Sequence, residues 1–303
     1  MSGMFGMVSD KDCVKEVYYG TDYHSHLGMA YGGIAVFDGK EILHEKKEIK
    51  IHPFRSQFYD FSKNVKGKIA AGIISDYEPQ PLYVKSKLGE YAIFHIGKIN
   101  NLEALVSKKE VDKVNPLKAI ANLINQGKDF VEGIKIAQSA IEGSSSLMVL
   151  TKKGIYVARD KLGRTPIAIA ISEKATAVAL ETSSFLNLFG DYDCYYVGPG
   201  EIGIIDKHGY TQLEKPKTKS QLCTFLFIYY GFPSSCYDGI NVEITRNNLG
   251  RYLARADKKE FDEGKISIDY VTGIPDSGMG CGIGYAAESG LPFLRPYVKY
   301  TRT

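Results

Sequence analysis

The chain opens with MSGMFGMVSD (residues 1–10), and the first six of those residues after Met1 decide how the rest is read. Ser2 is followed by Gly3 and then by an apolar run through Phe5 and Met7, which predicts a strand that starts at the second residue. An initiator Met ahead of a residue as small as Ser is normally trimmed. Its removal gives Ser2 a free α-amine beside its own hydroxyl. Such an amine titrates near ~7.7–8.0 and serves as a base at neutral pH, which is one form of activated nucleophile. The plain alternative is that Met-Ser is an ordinary beginning with no chemistry attached.

Working outward, residues 1–210 read as strands joined by turns, with helices between them. YGGIAVFDGKEILHEKKEI (31–49) is two β-rich runs around Asp38-Gly39, a hairpin signal. EYAIFHIGKI (90–99), SSSLMVLTKKGIYVARDK (144–161, turning at Lys153-Gly154) and IAIAISEKATAVAL (167–180) carry the same pattern. DKVNPLKAIANLINQG (112–127) has apolar residues at helical spacing and stops at Gln126-Gly127; DFVEGIKIAQSAIEG (129–143) is a second helix. Many antiparallel strands with interspersed helices give an α+β class, two stacked sheets with helices on their outer faces. The polar stretch KHGYTQLEKPKTKSQ (207–221) reads as a linker, near residues 207–222. Beyond it, 222–303, a long amphipathic helix is predicted from Val242, then a strand in ISIDYVTGIPDSG (266–278), then a helix in MGCGIGYAAESG (279–290) stopped by Gly290. Strand, loop, helix is the beginning of an α/β phosphate-binding unit.

Composition bounds the function. Of 303 residues, 44% are hydrophobic and 24% charged, as in a globular protein, and the net charge of +3 is too small to point to nucleic acid. No apolar run approaches the ~18 residues of a membrane span, and no basic-then-apolar leader marks a signal peptide. Five widely spaced cysteines without a CxxC pair argue against a disulfide scaffold or zinc site and for a reducing cytoplasm. The expected partner is a small molecule, with no nucleic acid and no membrane, in a homo-oligomer.

The order of the pieces resembles the amidophosphoribosyltransferase family, from residue 2 to the end. SGMFGM resembles its opening C-G-I-F-G-I, and VYYGTDYHSHLGMAYGGIAV (17–36) its helix ending in H-R-G-Q-E-x-A-G-I-A-V. PQP (79–81) and HIGKINN (95–101) resemble A-Q-P and H-N-G-N-L-V-N. ARDKLGRTPIAIA (158–170), ETSSF (181–185) and VGPGEI (197–202) resemble A-R-D-P-x-G-x-R-P-L, S-E-T-C-A and V-x-P-G-E-I. CTFLFIYYGFPSS (223–235) and IPDSGMGCGIGYAAESGLPF (274–293) resemble C-x-F-E-Y-x-Y-F-A-R-P-D-S and V-P-D-S-G-x-x-A-A-x-G-Y-A-x-x-S-G-I-P. The resemblance implies an Ntn-hydrolase-type four-layer αββα glutaminase sandwich followed by part of an α/β phosphoribosyltransferase-type domain. In that family ammonia from glutamine displaces pyrophosphate from phosphoribosyl pyrophosphate, giving phosphoribosylamine, the first committed intermediate of purine synthesis.

The departures fall on the chemistry. The family's N-terminal Cys nucleophile is Ser2 here. The Asn of H-N-G, an oxyanion donor, is Ile96, between His95 and Gly97; losing one such donor costs on the order of 10²–10³ in rate, about 2.7–4 kcal/mol. The segment matching the family's R-Y-S-T loop, AAGIISDYEPQP (70–81), has no Arg to clamp the glutamine carboxylate. After His26, the Arg, Gln and Glu of the family motif are Leu27, Met29 and Ala30. The substrate pocket is thus assigned to His26, Leu27, His95, Ile96 and Gly97, with Ser2 catalytic and glutamine binding lost. Asp276, Ser277 and Gly278 are assigned to phosphate, through backbone N–H groups and a hydroxyl ahead of a helix; an ordinary turn and cap is the alternative. The adjacent acids of the family's phosphoribosyl pyrophosphate motif do not occur in this sequence, and VKYTRT (298–303) resembles the start of its catalytic loop. No cofactor is assigned; a complete phosphoribosyltransferase domain would bring Mg2+. Cys223 sits where some family members place an iron–sulfur ligand, and is read as a buried small hydrophobe. His24 and His26 are read as structural, and Arg159-Asp160 as a turn-stabilising pair. Three readings follow: an ammonia-using transferase with a weakened glutaminase, a non-catalytic binding or regulatory protein, and a Ser-nucleophile amidase with a pocket of Leu27, Met29 and Ile96.

Overall fold

A computed structural model describes residues 2–106 and 115–299. Two compact units divide the chain, Met1–Leu222 and Cys223–Thr303. The strands of the first are β1 (Ser2–Ser9), β2 (Tyr31–Phe37), β3 (Ile42–Glu48), β4 (Ile69–Ser75), β5 (Leu82–Ser86), β6 (Gly89–Ile99), β7 (Gly143–Thr151), β8 (Gly154–Ala158), β9 (Ala168–Ile171), β10 (Ala175–Ala179), β11 (Asp193–Tyr196), β12 (Ile202–Asp206) and β13 (Gly209–Glu214). They form two antiparallel sheets, ordered β11-β9-β10-β1-β4-β2-β3 and β13-β12-β8-β7-β6-β5.

Helices close both outer faces. On the first sheet lie α1 (Val14–Asp22), α2 (Phe54–Gln57), α3 (Tyr59–Asn64) and α6 (Ser183–Leu188). Val14, Val17, Tyr18, Phe54, Phe58 and Phe185 from these helices and their caps pack on Phe5, Met7, Ile34 and Val36. On the second sheet lie α4 (Pro116–Ile124) and α5 (Phe130–Ala140), whose Leu117, Ile120, Ile134 and Ala137 meet Tyr91, Ile93, Leu147 and Val149. Both helices start where the sequence supplies a cap. Asn115 Oδ1 accepts the Leu117 N–H at 2.8 Å with Pro116 next to it, and Asp129 Oδ1 accepts the Glu132 N–H at 2.9 Å. The sheets meet face to face: β1 packs on β6, β8 and β12. This is the four-layer αββα sandwich.

Two sequence expectations change here, and one is partly covered. Residues 209–214, read as linker, form the edge strand β13, paired to β12 through a turn at Lys207 and His208, with Gly209 (φ +105°) opening the strand. It reads as polar because one side of an edge strand faces water, so the first unit runs past 210 to Leu222. The strand expected in 266–278 is absent among the described residues. Only one parallel bridge, Val271 to Phe293, forms there, since only residues 292–294 come alongside to satisfy its backbone groups. The helix predicted over 112–127 begins at Pro116, and residues 112–114 lie outside the described residues, as do 300–303 of VKYTRT.

In the second unit α7 (Val242–Asp262) starts at the predicted residue, capped by Asn241 Oδ1 on the Ile244 N–H at 2.9 Å. It packs on α8 (Met279–Ser289), which ends at Gly290 (φ +76°), the left-handed conformation that favours glycine. The approach is close: a side chain at Gly284 would begin 1.9 Å from the Asn247 carbonyl oxygen. Arg246, almost fully buried, donates to the carbonyls of Phe227 (2.8 Å), Tyr229 (3.1 Å) and Gly231 (2.9 Å), satisfying the end of the π-helical turn Leu226–Tyr230.

Candidate active site

Strand parity builds the site. Phe5 and Met7 share a core with α1, and a side chain at Gly3 would begin 2.5 Å from His24 Cβ, so the odd residues of β1 face the helices. Ser2, Met4, Gly6 and Val8 therefore face the second sheet, and a side chain at Gly6 would meet Met148 Sδ and Ile155 Cδ1 at 3.1 Å. Ser2 sits directly opposite Ser75 at the end of β4. Its Oγ lies 3.4 Å from Ser75 Oγ, and both residues are buried. The group beside Ser2 is thus a hydroxyl, and the connection from β4 to β5, Asp76–Pro81, contains no cation.

Parity also divides the expected pocket. Tyr91 and Ile93 of β6 pack under α4 and α5. His95 follows on that side, away from the sheet that carries Ser2, while Phe94 and Ile96 face it. The grouping of His95 with Ile96 is corrected accordingly: of the two, Ile96 is on the Ser2 side, buried and with no donor to offer. Gly97 adopts φ +137°. His95 is held instead by its backbone. Gln80, fully buried, accepts the His95 N–H through Oε1 at 2.7 Å and donates from Nε2 to the His95 carbonyl at 3.0 Å and to Glu78 Oε1 at 3.1 Å. The side-chain amide does what a neighbouring strand would do, two residues before β5 begins at Leu82. The Gln80 carbonyl in turn lies against Gly33, where a side chain would begin 1.8 Å away.

The turn Ser25–Leu27 packs on β1 and β4. Leu27 is buried there, and His26 Nε2 lies 3.0 Å from Glu181 Oε2, a carboxylate with no exposure. His24 is fully buried. Its Nδ1–H donates to the Gly20 carbonyl at 2.7 Å, and its Nε2 accepts the Glu181 N–H at 3.3 Å. Burial pushes the imidazole down to about 4 against the upward pull of Glu181, so the ring is neutral and ties α1 to the end of β10. Met29 is 74% exposed and does not line an enclosed pocket, a correction to its expected place beside Leu27; the chain turns outward there because the Met29 N–H is pinned to Asp76 Oδ1 at 2.7 Å.

Arg159 and Asp160 organise one turn. The guanidinium donates to the carbonyls of Val197 (2.7 Å) and Gly163 (2.6 Å), and the carboxylate accepts from the N–H groups of Leu162 (3.2 Å) and Thr165 (2.8 Å). Sequence reasoning missed a neighbouring cluster. Glu201, with no exposure, accepts from Tyr195 Oη (2.8 Å), Tyr210 Oη (2.6 Å) and Gln212 Nε2 (2.9 Å) on Oε1, and from the Gly198 N–H (2.7 Å) on Oε2. Burial and the adjacent carboxylate push Tyr195 up to about 12. Glu181, Gln80 and Ser75 were also missed as site residues. A polar residue inside an apolar stretch is the available signal, and it names no partner.

In the second unit the residues assigned to phosphate form the turn ahead of α8. The Gly278 N–H is already bonded to the Ile274 carbonyl at 3.0 Å, and Met279 N–H to the Asp276 carbonyl at 3.2 Å. Asp276 is exposed, 3.4 Å from Lys299 Nζ, while the half-buried Ser277 hydroxyl has no partner among the described residues. Cys223 is exposed rather than buried, because the chain from 215 to 225 faces solvent throughout. Among the described residues no group of three His, Cys, Asp or Glu side chains is placed to hold a metal ion, so no step here is routed through Mg2+ or a cluster. No described helix is long and apolar enough to cross a membrane.

No family model matches the chain. Among curated proteins it is similar to the amidophosphoribosyltransferase of Bacillus subtilis (strain 168), 30% identical over 98% of this chain and 64% of the relative. It is likewise 30% identical to that of Synechocystis sp., over 98% of this chain and 63% of the relative. Among solved structures, the glutamine phosphoribosylpyrophosphate amidotransferase from B. subtilis, complexed with ADP and GMP, superposes with a TM-score of 0.85 at 29% identity, covering 97% of this chain and 65% of that one. A structure described as the allosteric regulatory enzyme of purine biosynthesis gives 0.85 at 29%, covering 99% and 67%. The chain spans less than two thirds of the length of those two curated relatives. At 30% identity over 98% of its own length, and with a TM-score of 0.85 to solved members, the chain is similar to the amidophosphoribosyltransferase family from near one end to the other.

Proposed function

We propose that this chain is an amidophosphoribosyltransferase-type protein whose glutaminase half is silent or strongly weakened, with any amino transfer to phosphoribosyl pyrophosphate drawing on free ammonia. The observation that carries this is Ile96. In an Ntn site the α-amine of residue 2 takes the hydroxyl proton, and the oxygen attacks the amide carbon. The resulting oxyanion then needs donors on the face of β6 toward residue 2. Here that face presents an sec-butyl group, and the residue beside the nucleophile is Ser75 rather than a cation. A missing oxyanion donor and a missing carboxylate clamp act on different stages, transition state and binding, so their losses compound. In the second unit the Ser277 hydroxyl supplies the phosphate contact, the Gly278 and Met279 N–H groups being bonded within the turn.

Intact mass before and after incubation with a diazo-ketone glutamine analogue tests the reading, alongside ammonia release from glutamine. The expected result is loss of Met1, no adduct on Ser2 and no ammonia release. A single adduct on Ser2 with glutamine turnover overturns it. A second reading, a Ser2 amidase for apolar amides, draws on the burial of Leu27 and Ile96 at this end of the sandwich. Acylation of Ser2 by an apolar activated ester, but not by the glutamine analogue, would favour it.

A further inference from the structure

The two sheets part at the end of the sandwich away from Ser2. Val8 is six residues along β1, about 20 Å from Ser2 at ~3.3 Å per residue. There a cavity of about 850 Å³ opens between the ends of β1, β2 and β4 and the β7–β8 and β12–β13 turns. A smaller one of about 140 Å³ adjoins it, sharing Val8, Ser9, Asp10, Asp206, Lys207 and His208. Its floor follows from register. Val8 lies opposite Ile69, and Phe37 lies opposite Ile69 on the other side. The three share the inner face of adjacent strands as one apolar row. At ~4.8 Å between strands such a row is about 10 Å wide, and stacked sheets lie about 10 Å apart. That is the cross-section of a flat ring system.

The mouth is charged from both sheets. Lys66, Lys68, Lys152, Lys153 and Lys207 line it, with His208, against Asp10, Asp12, Asp38 and Asp206. Three of the four acids are engaged in holding loops. Asp12 pairs with Lys66 at 3.0 Å and accepts the Gly67 N–H at 3.0 Å. Asp38 accepts the N–H groups of Lys40 (2.7 Å) and Glu41 (2.9 Å), and Asp206 that of His208 (2.7 Å). Lys152 pairs with Glu90 at 2.8 Å. Lys68, Lys153 and Lys207 make no ion pair among the described residues. Three uncommitted ammonium groups, one from the first sheet and two from the second, thus surround an apolar slot, the combination of apolar walls and few convergent charges that marks a ligand site.

We propose that this cleft binds a small phosphorylated molecule with a flat apolar body, the ring lying on Val8, Phe37 and Ile69 and the phosphate held by Lys68, Lys153 and Lys207. The probe is 1-naphthyl phosphate, titrated into the full chain by fluorescence against a background that comes from tyrosine alone, there being no tryptophan. The expected result is saturable binding, weakened at least about tenfold in the Lys153→Ala/Lys207→Ala double variant and unchanged in Lys259→Ala on α7. 1-Naphthol is expected to bind far more weakly, and inorganic phosphate to compete only at much higher concentration. Absence of saturable binding, equal affinity for 1-naphthol, or an unchanged affinity in the double variant would each overturn the proposal. Circular dichroism of the double variant, which alters only exposed turn residues, keeps a folding defect from being read as a binding one.

Discussion

The Gln80 side chain and the His95 backbone exchange two hydrogen bonds, 2.7 Å and 3.0 Å, in the interior of the sandwich. This pair extends the sheet ahead of the first residue of β5, and it fixes the stretch of β6 that carries Ile96 and Gly97. Removing the amide strands a buried N–H and a buried C=O. Gln80→Leu is expected to cost about 2–6 kcal/mol, at about 1–3 for each orphaned group. Gln80→Glu keeps an acceptor for the N–H but sets a buried carboxylate against Glu78 and the His95 carbonyl, and should cost at least as much. Urea unfolding of the three proteins checks the order.

Ile96 governs the chemistry in the reading proposed above. Ile96→Asn in a Ser2→Cys background restores a donor and a stronger nucleophile together. Glutamine hydrolysis should rise by about 10²-fold over Ser2→Cys alone, the scale of one oxyanion donor. An unchanged rate would place the block at substrate binding, beside Ser75.

His24 predicts a pH dependence of stability. Its folded pKa, about 4, lies below the ordinary 6.5 because the ring is buried. Between those values the unfolded chain takes up a proton that the folded one does not. Stability is therefore complete above about pH 6.5 and is lost as pH falls toward 4, by about 3 kcal/mol from this residue at 1.36 kcal/mol per unit. His24→Gln should be less stable at pH 7, but its further loss between pH 7 and 4.5 should be smaller than that of the unaltered protein. Chemical denaturation at the two pH values gives both numbers.

Glu201 gathers three donors on one oxygen. Glu201→Gln removes the charge that strengthens them and turns one oxygen into a donor facing donors. A loss of about 2–3 kcal/mol is expected, the range for hydrogen bonds to charged groups. Tyr195 should titrate below about 12 in the variant, which a ring-labelled tyrosine NMR titration reads directly.

Arg246 holds three carbonyls through Nε and Nη2. Lysine cannot reproduce a planar fork. Arg246→Lys should leave α7 helical and speed amide exchange at Gly231, whose N–H bonds to the Leu226 carbonyl in that turn.

What was legible in the sequence is what local chemistry decides. Asp38-Gly39 marks a hairpin, Gln126-Gly127 ends a helix, a second helix starts at Val242 and Gly290 ends another, all through contacts within a few residues. The segment order placed these pieces in a known architecture. Residues 209–214 were misread because an edge strand is polar on its wet side and resembles a linker. Residues 266–272 were misread because an apolar run becomes a strand only when partners come alongside. Ile96 was identified by its place in HIGKINN, but its separation from His95 needed the packing of Tyr91 and Ile93 to orient the strand. Gln80 and Glu201 were silent because their partners lie far away in sequence or across a turn.

The parity of β1 and β6 has a practical consequence for anyone rebuilding this protein. Each strand carries two independent alphabets. Letters at 3, 5, 7, 91 and 93 spell the grip on the helices, and changes there threaten folding. Letters at 2, 4, 94 and 96 spell the surface between the sheets. A library restricted to the second set can search for new amide chemistry while leaving the helix-facing half of the sandwich untouched.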